Sequence, residues 1–176
     1  MDNQIILACD DNGKFLEYIP KEVGHTGSGK RHLAITVLVY NNKGKVLLQR
    51  RKHKIFDDIW DLTASTHPLH SKSGTDESLE EATLRALKYE YDIDSIILKY
   101  IGSFNYFART GNLCENEHDA LFTGEYNGEV KLNPEAGYSF KWVDRNEFFK
   151  DISENPEKYS PWAIEGVKLL KKKLTF

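Results

Sequence analysis

Five residues of the chain have the types and spacing of a metal site: His25, His32, His67, Glu115 and Glu117. The histidines lie in glycine-rich, strand-start or proline-flanked segments. The two glutamates point to the same side of an extended chain, because strand side chains alternate. Imidazole and carboxylate together favour zinc, manganese or iron over magnesium, which prefers oxygen ligands. Each histidine taken singly is more often structural or exposed than a ligand, so the hypothesis depends on the whole set.

A carboxylate on an apolar helix face is a second candidate. Apolar residues recur at helical spacing over residues 77–92, and Glu90 shares their face. A carboxylate there is costly unless it is paired or bound to a cation. Glu81 precedes Arg85 by four residues, which predicts an ion pair on the outer face. The acidic residues at the start of the helix also suit its dipole and need no other role.

The elements that must position these side chains are mostly strands. An Asp-Asp-Asn-Gly turn at residues 10–13 predicts a hairpin of strands 5–8 and 15–19. A polar loop is expected over residues 70–76. Apolar and β-branched runs predict further strands at residues 32–40, 45–51, 60–64, 96–108, 118–126 and 137–143.

A final helix is predicted to start at Ser160, an N-cap residue, with Pro161 at its first helical position. Its apolar stripe is Ile164, Val167, Leu170 and Leu174. Since a single long helix interrupts the strands, we expect the α+β class, with an α/β/α sandwich around a mixed β-sheet. One domain is expected over residues 1–176, with the hairpin at 4–20 and the terminal helix at 160–175.

Composition and charge exclude several classes of protein. Of 176 residues, 40% are hydrophobic and 29% charged, which is ordinary for a globular domain. The net charge of −3 predicts no nucleic-acid or membrane partner. The sequence has neither an apolar run of the roughly 20 residues that span a membrane nor a signal-peptide pattern at its start, so we expect a cytoplasmic location. Cys9 and Cys114 predict no disulfide framework, and no pattern favours a particular oligomeric state.

The predicted helix and the loop before it resemble the Nudix box, Gly-x5-Glu-x7-Arg-Glu-U-x-Glu-Glu-x-Gly-U, in which U is a bulky apolar residue. Glu77, Arg85 and Glu90 match this motif. Ala86, Tyr89 and Asp92 depart from it, the first two at positions where the box has glutamate. Two of the three helix carboxylates that hold magnesium in Nudix hydrolases are therefore absent.

Within the Nudix superfamily, nearly the whole chain resembles the type I isopentenyl diphosphate isomerases. The resemblance implies a Nudix-like fold and an enzyme that converts isopentenyl into dimethylallyl diphosphate by protonation and deprotonation. The shared features, in chain order, are His25-x6-His32, Leu-Leu-Gln-Arg-Arg at 47–51, Trp60, His67-Pro68, Tyr89-Glu90, Glu115-Asn116-Glu117 and Ser160-Pro161-Trp162.

The resemblance also implies a role for each matching residue. A divalent metal ion, zinc, manganese or magnesium, would be held by the three histidines and two glutamates named at the outset. Magnesium would bind with the substrate diphosphate at Glu90, and Lys21 and Arg51 would contact that diphosphate. Tyr106 and Trp162 would line the isoprenoid pocket, with Glu117 and Tyr106 taking part in catalysis. Trp162 fits a structural role equally well, as an aromatic anchor for the start of the last helix.

Ser65 is the main departure from the isomerase pattern. The family has its catalytic cysteine at this position, two residues before the His-Pro pair. A thiol has a pKa of about 8.5, whereas an alcohol is a far weaker acid and does not readily carry a proton at a double bond. Cys114 does not substitute, because strand alternation turns it away from the side of Glu115 and Glu117.

Three functions are compatible with this sequence, and all three take a small diphosphate ligand. The five-residue metal set favours an isomerase. The missing thiol favours either a changed acid or a Nudix-type hydrolase of a nucleotide or isoprenoid diphosphate, with a metal-activated water. The third possibility is a non-catalytic diphosphate-binding module whose metal site contributes to folding.

Overall fold

The computed structural model describes residues 4–174, with backbone alone at Leu174. The side chain of Leu174, expected to end the apolar stripe, and residue 175, expected to end the last helix, lie outside the described residues. No helix within the described range is long and apolar enough to cross a membrane.

Ten strands and four α-helices lie within residues 4–174. The strands are β1 (Ile5–Cys9), β2 (Phe15–Pro20), β3 (His32–Tyr40), β4 (Lys45–Arg51), β5 (Trp60–Asp61), β6 (Ala64–Thr66), β7 (Leu69–His70), β8 (Leu98–Thr110), β9 (Leu113–Glu125) and β10 (Gly137–Asp144). The helices are α1 (Lys21–His25), α2 (Leu79–Tyr91), α3 (Arg145–Glu154) and α4 (Pro161–Leu174), with a short 3-10 turn at Pro156–Lys158.

Strand β3 lies at the centre of one mixed sheet. It pairs antiparallel with β1, β4 and β6, and parallel with β9 along its whole length. The parallel register sets His32 opposite Glu117, and β9 also forms a long antiparallel hairpin with β8. The α+β prediction is confirmed, and sheet pairing alone brings two of the predicted metal ligands together.

Helices cover both faces of this sheet. On one face, Ile35 and Val37 of β3 pack against Leu87 and other residues of α2. On the opposite face, Leu38 belongs to a second cluster with residues of α3 and α4, including Val167. Because β3 is apolar on both sides, it is buried on both sides, as expected for a strand between two helical layers.

Helix α2 starts two residues later than predicted. Ser78 is its N-cap and forms a capping box with Glu81, whose side chain accepts from the Ser78 backbone N–H at 2.7 Å. The predicted Glu81–Arg85 pair is therefore wrong. Arg85 pairs instead with Glu77 in the preceding loop, with 2.7 Å between Arg85 Nε and Glu77 Oε1.

Other elements also differ from the predictions, most of them by one or two residues at an end. The strand expected at 60–64 is two short strands, β5 and β6, and β9 starts at Leu113 rather than at residue 118. The loop at 70–76 is closed by a bridge between His70 and Asp76. Helix α3 was not predicted, because it is short and buries few apolar side chains, among them Phe148 and Ile152.

A buried carboxylate, Asp61, joins the sheet to the start of α4. Its oxygens accept hydrogen bonds from Ser160 Oγ at 2.7 Å and Trp162 Nε1 at 2.9 Å. The Arg51 guanidinium donates to it at 3.0 Å and lies 4.7 Å from the centre of the Trp162 ring. Ser160 also accepts from the backbone N–H of Ala163, which confirms its predicted N-cap role. Asp61 thus sets the positions of both Arg51 and Trp162.

We predict that Asp61→Ala lowers the free energy of unfolding by about 3–5 kcal/mol, because it leaves a buried guanidinium without its partner. Glu165→Ala is the control, since it removes an exposed ion pair with Lys168 and should cost no more than about 1 kcal/mol. Urea denaturation measures both values. Equal losses in the two variants would show that Asp61 does not hold this corner of the fold.

Candidate active site and metal centre

The five predicted ligands form one cluster. Their donor atoms all lie within 4.8 Å of one another. The three imidazole rings form a triangle with 4.7–4.9 Å between centroids. His25 comes from the end of α1, His32 from the start of β3 and His67 from the segment after β6, and the two glutamates come from one face of β9. Five side chains from four segments of the chain therefore meet at one end of the central strand.

Backbone carbonyls fix the orientation of two of the rings. His25 Nδ1 lies 2.8 Å from the Lys21 carbonyl, and His32 Nδ1 lies 2.8 Å from the Lys30 carbonyl. A carbonyl oxygen can only accept, so each Nδ1 carries the proton. In the neutral ring, Nε2 then presents a lone pair to the cluster, which is the arrangement that metal-binding histidines commonly have.

Nitrogen and oxygen lone pairs of the cluster face one another, and a cation between them would bind them. His25 Nε2 is 3.0 Å from Glu115 Oε2, and His32 Nε2 is 3.4 Å from Glu117 Oε1. His25 Nε2, His32 Nε2 and Glu115 Oε2 are buried and make no hydrogen bond to any described residue. Around an ion with bonds of about 2.1 Å, neighbouring donors lie about 3 Å apart and opposite donors about 4 Å apart. The set of three nitrogens and two carboxylates fits a divalent ion of the zinc, manganese or iron type.

The pKa shifts within the cluster also favour a bound cation. Burial lowers the pKa of His67 well below its usual value, which keeps this ring neutral. Burial raises the pKa of Glu117, but His32 and His67 outweigh that effect and hold it well below the usual range. The pKa of Glu115 is raised by its burial and by the neighbouring Glu117. Against the effect of its burial, Glu115 raises the pKa of His25. A buried carboxylate pair beside imidazole nitrogens gains from a positive ion.

A pocket of about 420 Å³ opens beside the cluster. Part of its wall is apolar or aromatic, and cationic side chains lie on the rest. Every predicted site residue lies either in the cluster or on this wall. The wall residues among them are Lys21, Arg51, Ser65, His67, Glu90, Tyr106, Glu115, Glu117 and Trp162.

Glu90 lies on the pocket wall but outside the five-residue cluster. The Gln49 amide donates to its carboxylate at 2.6 Å. Burial raises the pKa of Glu90 to about 8, against the opposite effect of Gln49. The carboxylate on the inner helix face is therefore both paired with an amide and open to a ligand in the pocket.

Arg51 and Lys21, the residues predicted to contact the diphosphate, each donate a hydrogen bond to a neighbouring side chain. Arg51 is bound to Asp61, as described above, and Lys21 Nζ donates to Gln4 Oε1 at 3.1 Å. Both side chains line the pocket, as does Arg85. Since Lys52 also lines the pocket, the wall presents four cationic side chains to a bound anion.

Two aromatic side chains bond to Glu117 and Ser65. The Tyr106 hydroxyl donates to Glu117 Oε2, and burial beside that carboxylate holds the pKa of Tyr106 well above its usual value. Trp162 Nε1 donates to Ser65 Oγ at 3.0 Å, and its ring centre lies 5.9 Å from that of Tyr106. Trp162 therefore both anchors the start of α4 and lines the pocket. Cys114 instead points at the Gly27 carbonyl, 3.7 Å away.

Sequence reasoning missed several residues of the site. Gln49 and His53 line the pocket, although neither was given a role there. Arg85 donates to the His67 carbonyl at 2.8 Å and to Glu77, so it ties the Nudix-box loop to a predicted metal ligand. The matching arginine of the box was the available signal for Arg85. Gln49 has a weaker signal, as a buried polar residue that directly follows the apolar run 46–48 of β4.

Comparison with known proteins decides the family. Residues 30–163 match the model of the Nudix domain. The chain belongs to the Nudix family.

Other Nudix proteins indicate the group within the family. The chain is 32% identical over 165 residues to isopentenyl-diphosphate Delta-isomerase 2 of Aromatoleum aromaticum, covering 92% of this chain and 83% of that protein. It is 28% identical to isopentenyl-diphosphate Delta-isomerase of Serratia proteamaculans, covering 96% and 91%. The predicted resemblance to type I isopentenyl diphosphate isomerases is confirmed.

The Nudix fold is also found in solved structures similar to this one. A crystal structure of a Deinococcus radiodurans protein aligns with a TM-score of 0.70 at 16% identity, covering 94% of this chain and 97% of that chain. At this identity the likeness concerns the fold alone.

We predict that the purified protein holds one transition-metal ion per chain and that His67→Ala removes most of it. The four remaining donors would have to hold an ion with an incomplete ligand set. His70→Ala is the matched control, because His70 is three residues away and bonds to Asp76 outside the cluster. Elemental analysis of the three proteins measures the metal content. The same content in wild type and His67→Ala would remove His67 from the ligand set.

Proposed function

We propose that this Nudix protein is an enzyme that converts isopentenyl diphosphate into dimethylallyl diphosphate. The observation that carries the proposal is the buried His/Glu cluster whose Glu117 is hydrogen-bonded to Tyr106 on the wall of a partly apolar pocket. The names of the relatives support the same reaction. Substrate and product are small diphosphates, as expected from the sequence.

The chain's own residues divide the work of binding. Lys21 and Arg51 bind the diphosphate oxygens, and Glu90 would hold the magnesium that accompanies the diphosphate. The Arg51 guanidinium donates to the Asp61 carboxylate at 3.0 Å and is already fixed in position before the substrate binds. Binding therefore does not cost the conformational entropy of ordering the Arg51 side chain. The apolar part of the wall takes the five-carbon group and excludes water from it.

Glu117 and Tyr106 form the proton-transfer pair in this proposal. The cluster residues would hold a divalent ion, whose positive charge would favour the ionised form of Glu117 and fix its orientation. The phenol and the carboxylate share a hydrogen bond, so a proton held between them can be given to the alkene. Protonation of the double bond leaves a positive charge on carbon, which the aromatic faces of Tyr106 and Trp162 stabilise. Loss of a proton from the next carbon then forms the new double bond, and the Ser65 hydroxyl on the pocket wall is the acceptor, a poor one that makes this step slow.

A hydrolase is the second candidate, favoured by the absence of the family's thiol at Ser65. Two observations weigh against a hydrolase. Glu77, the first glutamate of the Nudix box, is bound to Arg85 and to the backbone N–H of Leu69, and it is not on the pocket wall. Ala86 and Tyr89 occupy pocket positions where the box has carboxylates. The site therefore has fewer groups for binding a water-activating ion beside α2.

Incubation with isopentenyl diphosphate and magnesium, followed by NMR of the products, tests the proposed function. We predict slow formation of dimethylallyl diphosphate, which stops in Glu117→Gln. Release of phosphate or pyrophosphate without movement of the double bond, dependent on Glu90, would instead establish the hydrolase. Binding with no turnover would leave the non-catalytic module.

We predict that Ser65→Cys raises the isomerisation rate by about 10²–10⁴-fold, the usual contribution of one acid–base group. The reason is that a thiol exchanges its proton near neutral pH and an alcohol does not. Ser139→Cys, at an exposed position in β10, is the control and should leave the rate unchanged. Fast turnover by wild type with no gain in Ser65→Cys would contradict the idea that the missing thiol limits this enzyme.

A further inference from the structure

A row of polar side chains runs from Ser65 into the apolar layer under α4. Thr36 and Ser65 are directly opposite each other on β3 and β6, so their side chains share one face of the sheet. Their hydroxyl oxygens are 3.3 Å apart. Thr36 Oγ1 also donates to Asp119 Oδ2 at 2.7 Å. The threonine thus connects the pocket serine to a carboxyl group inside the protein.

Asp119 has no role in the fold or in the proposed reaction that would explain its burial. It is 1% exposed, Thr36 is fully buried, and Asp119 Oδ1 has no hydrogen-bond partner among the described residues. The next residue on the same face of β9 is Leu121, which belongs to the apolar cluster beside α4. A buried carboxyl group with an unpaired oxygen is costly, and two apolar side chains would fill the space at lower cost.

Ser65 is held from its other side by Trp162. The indole N–H, which can only donate, lies 3.0 Å from Ser65 Oγ and 2.9 Å from Asp61 Oδ2. A serine without such neighbours samples three rotamers. Contacts on two sides, from Trp162 and from Thr36, select one rotamer at the pocket wall.

We propose that Thr36, itself held by Asp119, is a positioning residue that fixes the Ser65 hydroxyl on the pocket wall. The catalytic consequence rests on the proposed function, in which the group at position 65 faces the reacting carbons. The positioning of Ser65 by Thr36 does not rest on the proposed function. It is a property of the protein without substrate, and it can be measured without an activity assay.

The indole N–H resonance of Trp162 reports on this arrangement, because that N–H is bonded to Ser65. The chain has three tryptophans, so nitrogen-15 labelling gives three indole signals, and Trp162→Phe identifies the one required. We expect Thr36→Val to shift this signal in the same direction as Ser65→Ala does. Thr36→Ser keeps the hydroxyl and should restore the wild-type position. Thr83→Val is the control and should leave the Trp162 signal unchanged, since it removes a buried hydroxyl that bonds to the Leu79 carbonyl in α2 and not to Ser65.

An unchanged Trp162 signal in Thr36→Val, beside a shifted one in Ser65→Ala, would overturn the proposal. So would a shift in Thr36→Val that Thr36→Ser fails to restore, because the threonine would then act through packing alone.

Turnover gives the second readout. In the Ser65→Cys background, where position 65 carries an exchangeable proton, we expect Thr36→Val to lower kcat for isopentenyl diphosphate by about 10–100-fold with little change in KM, the scale of a displaced catalytic group. In a Ser65→Ala background the same substitution should have no further effect. A full additional loss in that background would contradict positioning through Ser65. If wild type shows no isomerisation at all, the proposed function fails, and the indole signal alone decides whether Thr36 positions Ser65.

Discussion

Two glutamates buried side by side on one face of β9 are the constraint on which the rest of the site depends. Glu115 and Glu117 are both more than nine-tenths buried, and a carboxylate in such surroundings must be compensated. Three imidazoles with inward-facing Nε2 atoms and one phenol surround them, and a lone pair on an imidazole nitrogen does not cancel a carboxylate charge. A divalent ion would complete this set. The identity of the donors, rather than their number, makes the cluster a candidate metal centre.

The fold supplies each part of this arrangement through ordinary sheet geometry. The parallel pairing of β3 with β9 sets His32 beside Glu117, and the hairpin of the 13-residue strands β8 and β9 sets Tyr106 opposite the same glutamate. Asp61 likewise fixes two pocket residues, Arg51 and Trp162, through hydrogen bonds. Buried carboxylates therefore hold two groups of pocket residues in place, one group suited to a metal ion and the other containing the Arg51 cation.

Local patterns in the sequence predicted most elements, because each depends on neighbours in the chain. The Asn-Gly turn, the apolar run of β3 and the Ser160-Pro161 helix start are of this kind. The Glu81–Arg85 pair was wrong because two bonds compete for Glu81, and the capping box with Ser78 takes precedence over a surface ion pair. The Asp61 contacts and the Thr36–Asp119 bond join residues from different strands and helices. No local pattern encodes them, and they required the three-dimensional structure.

The most direct test of the isomerase proposal is incubation of wild-type protein with isopentenyl diphosphate in D₂O, followed by deuterium NMR of the recovered diphosphates. Reversible proton exchange at the alkene predicts deuterium in the five-carbon group, and Glu117→Gln should show none. Recovery of isopentenyl diphosphate without deuterium from the metal-loaded wild type, over times long enough to detect a rate reduced about 10⁴-fold, would contradict proton transfer at this site.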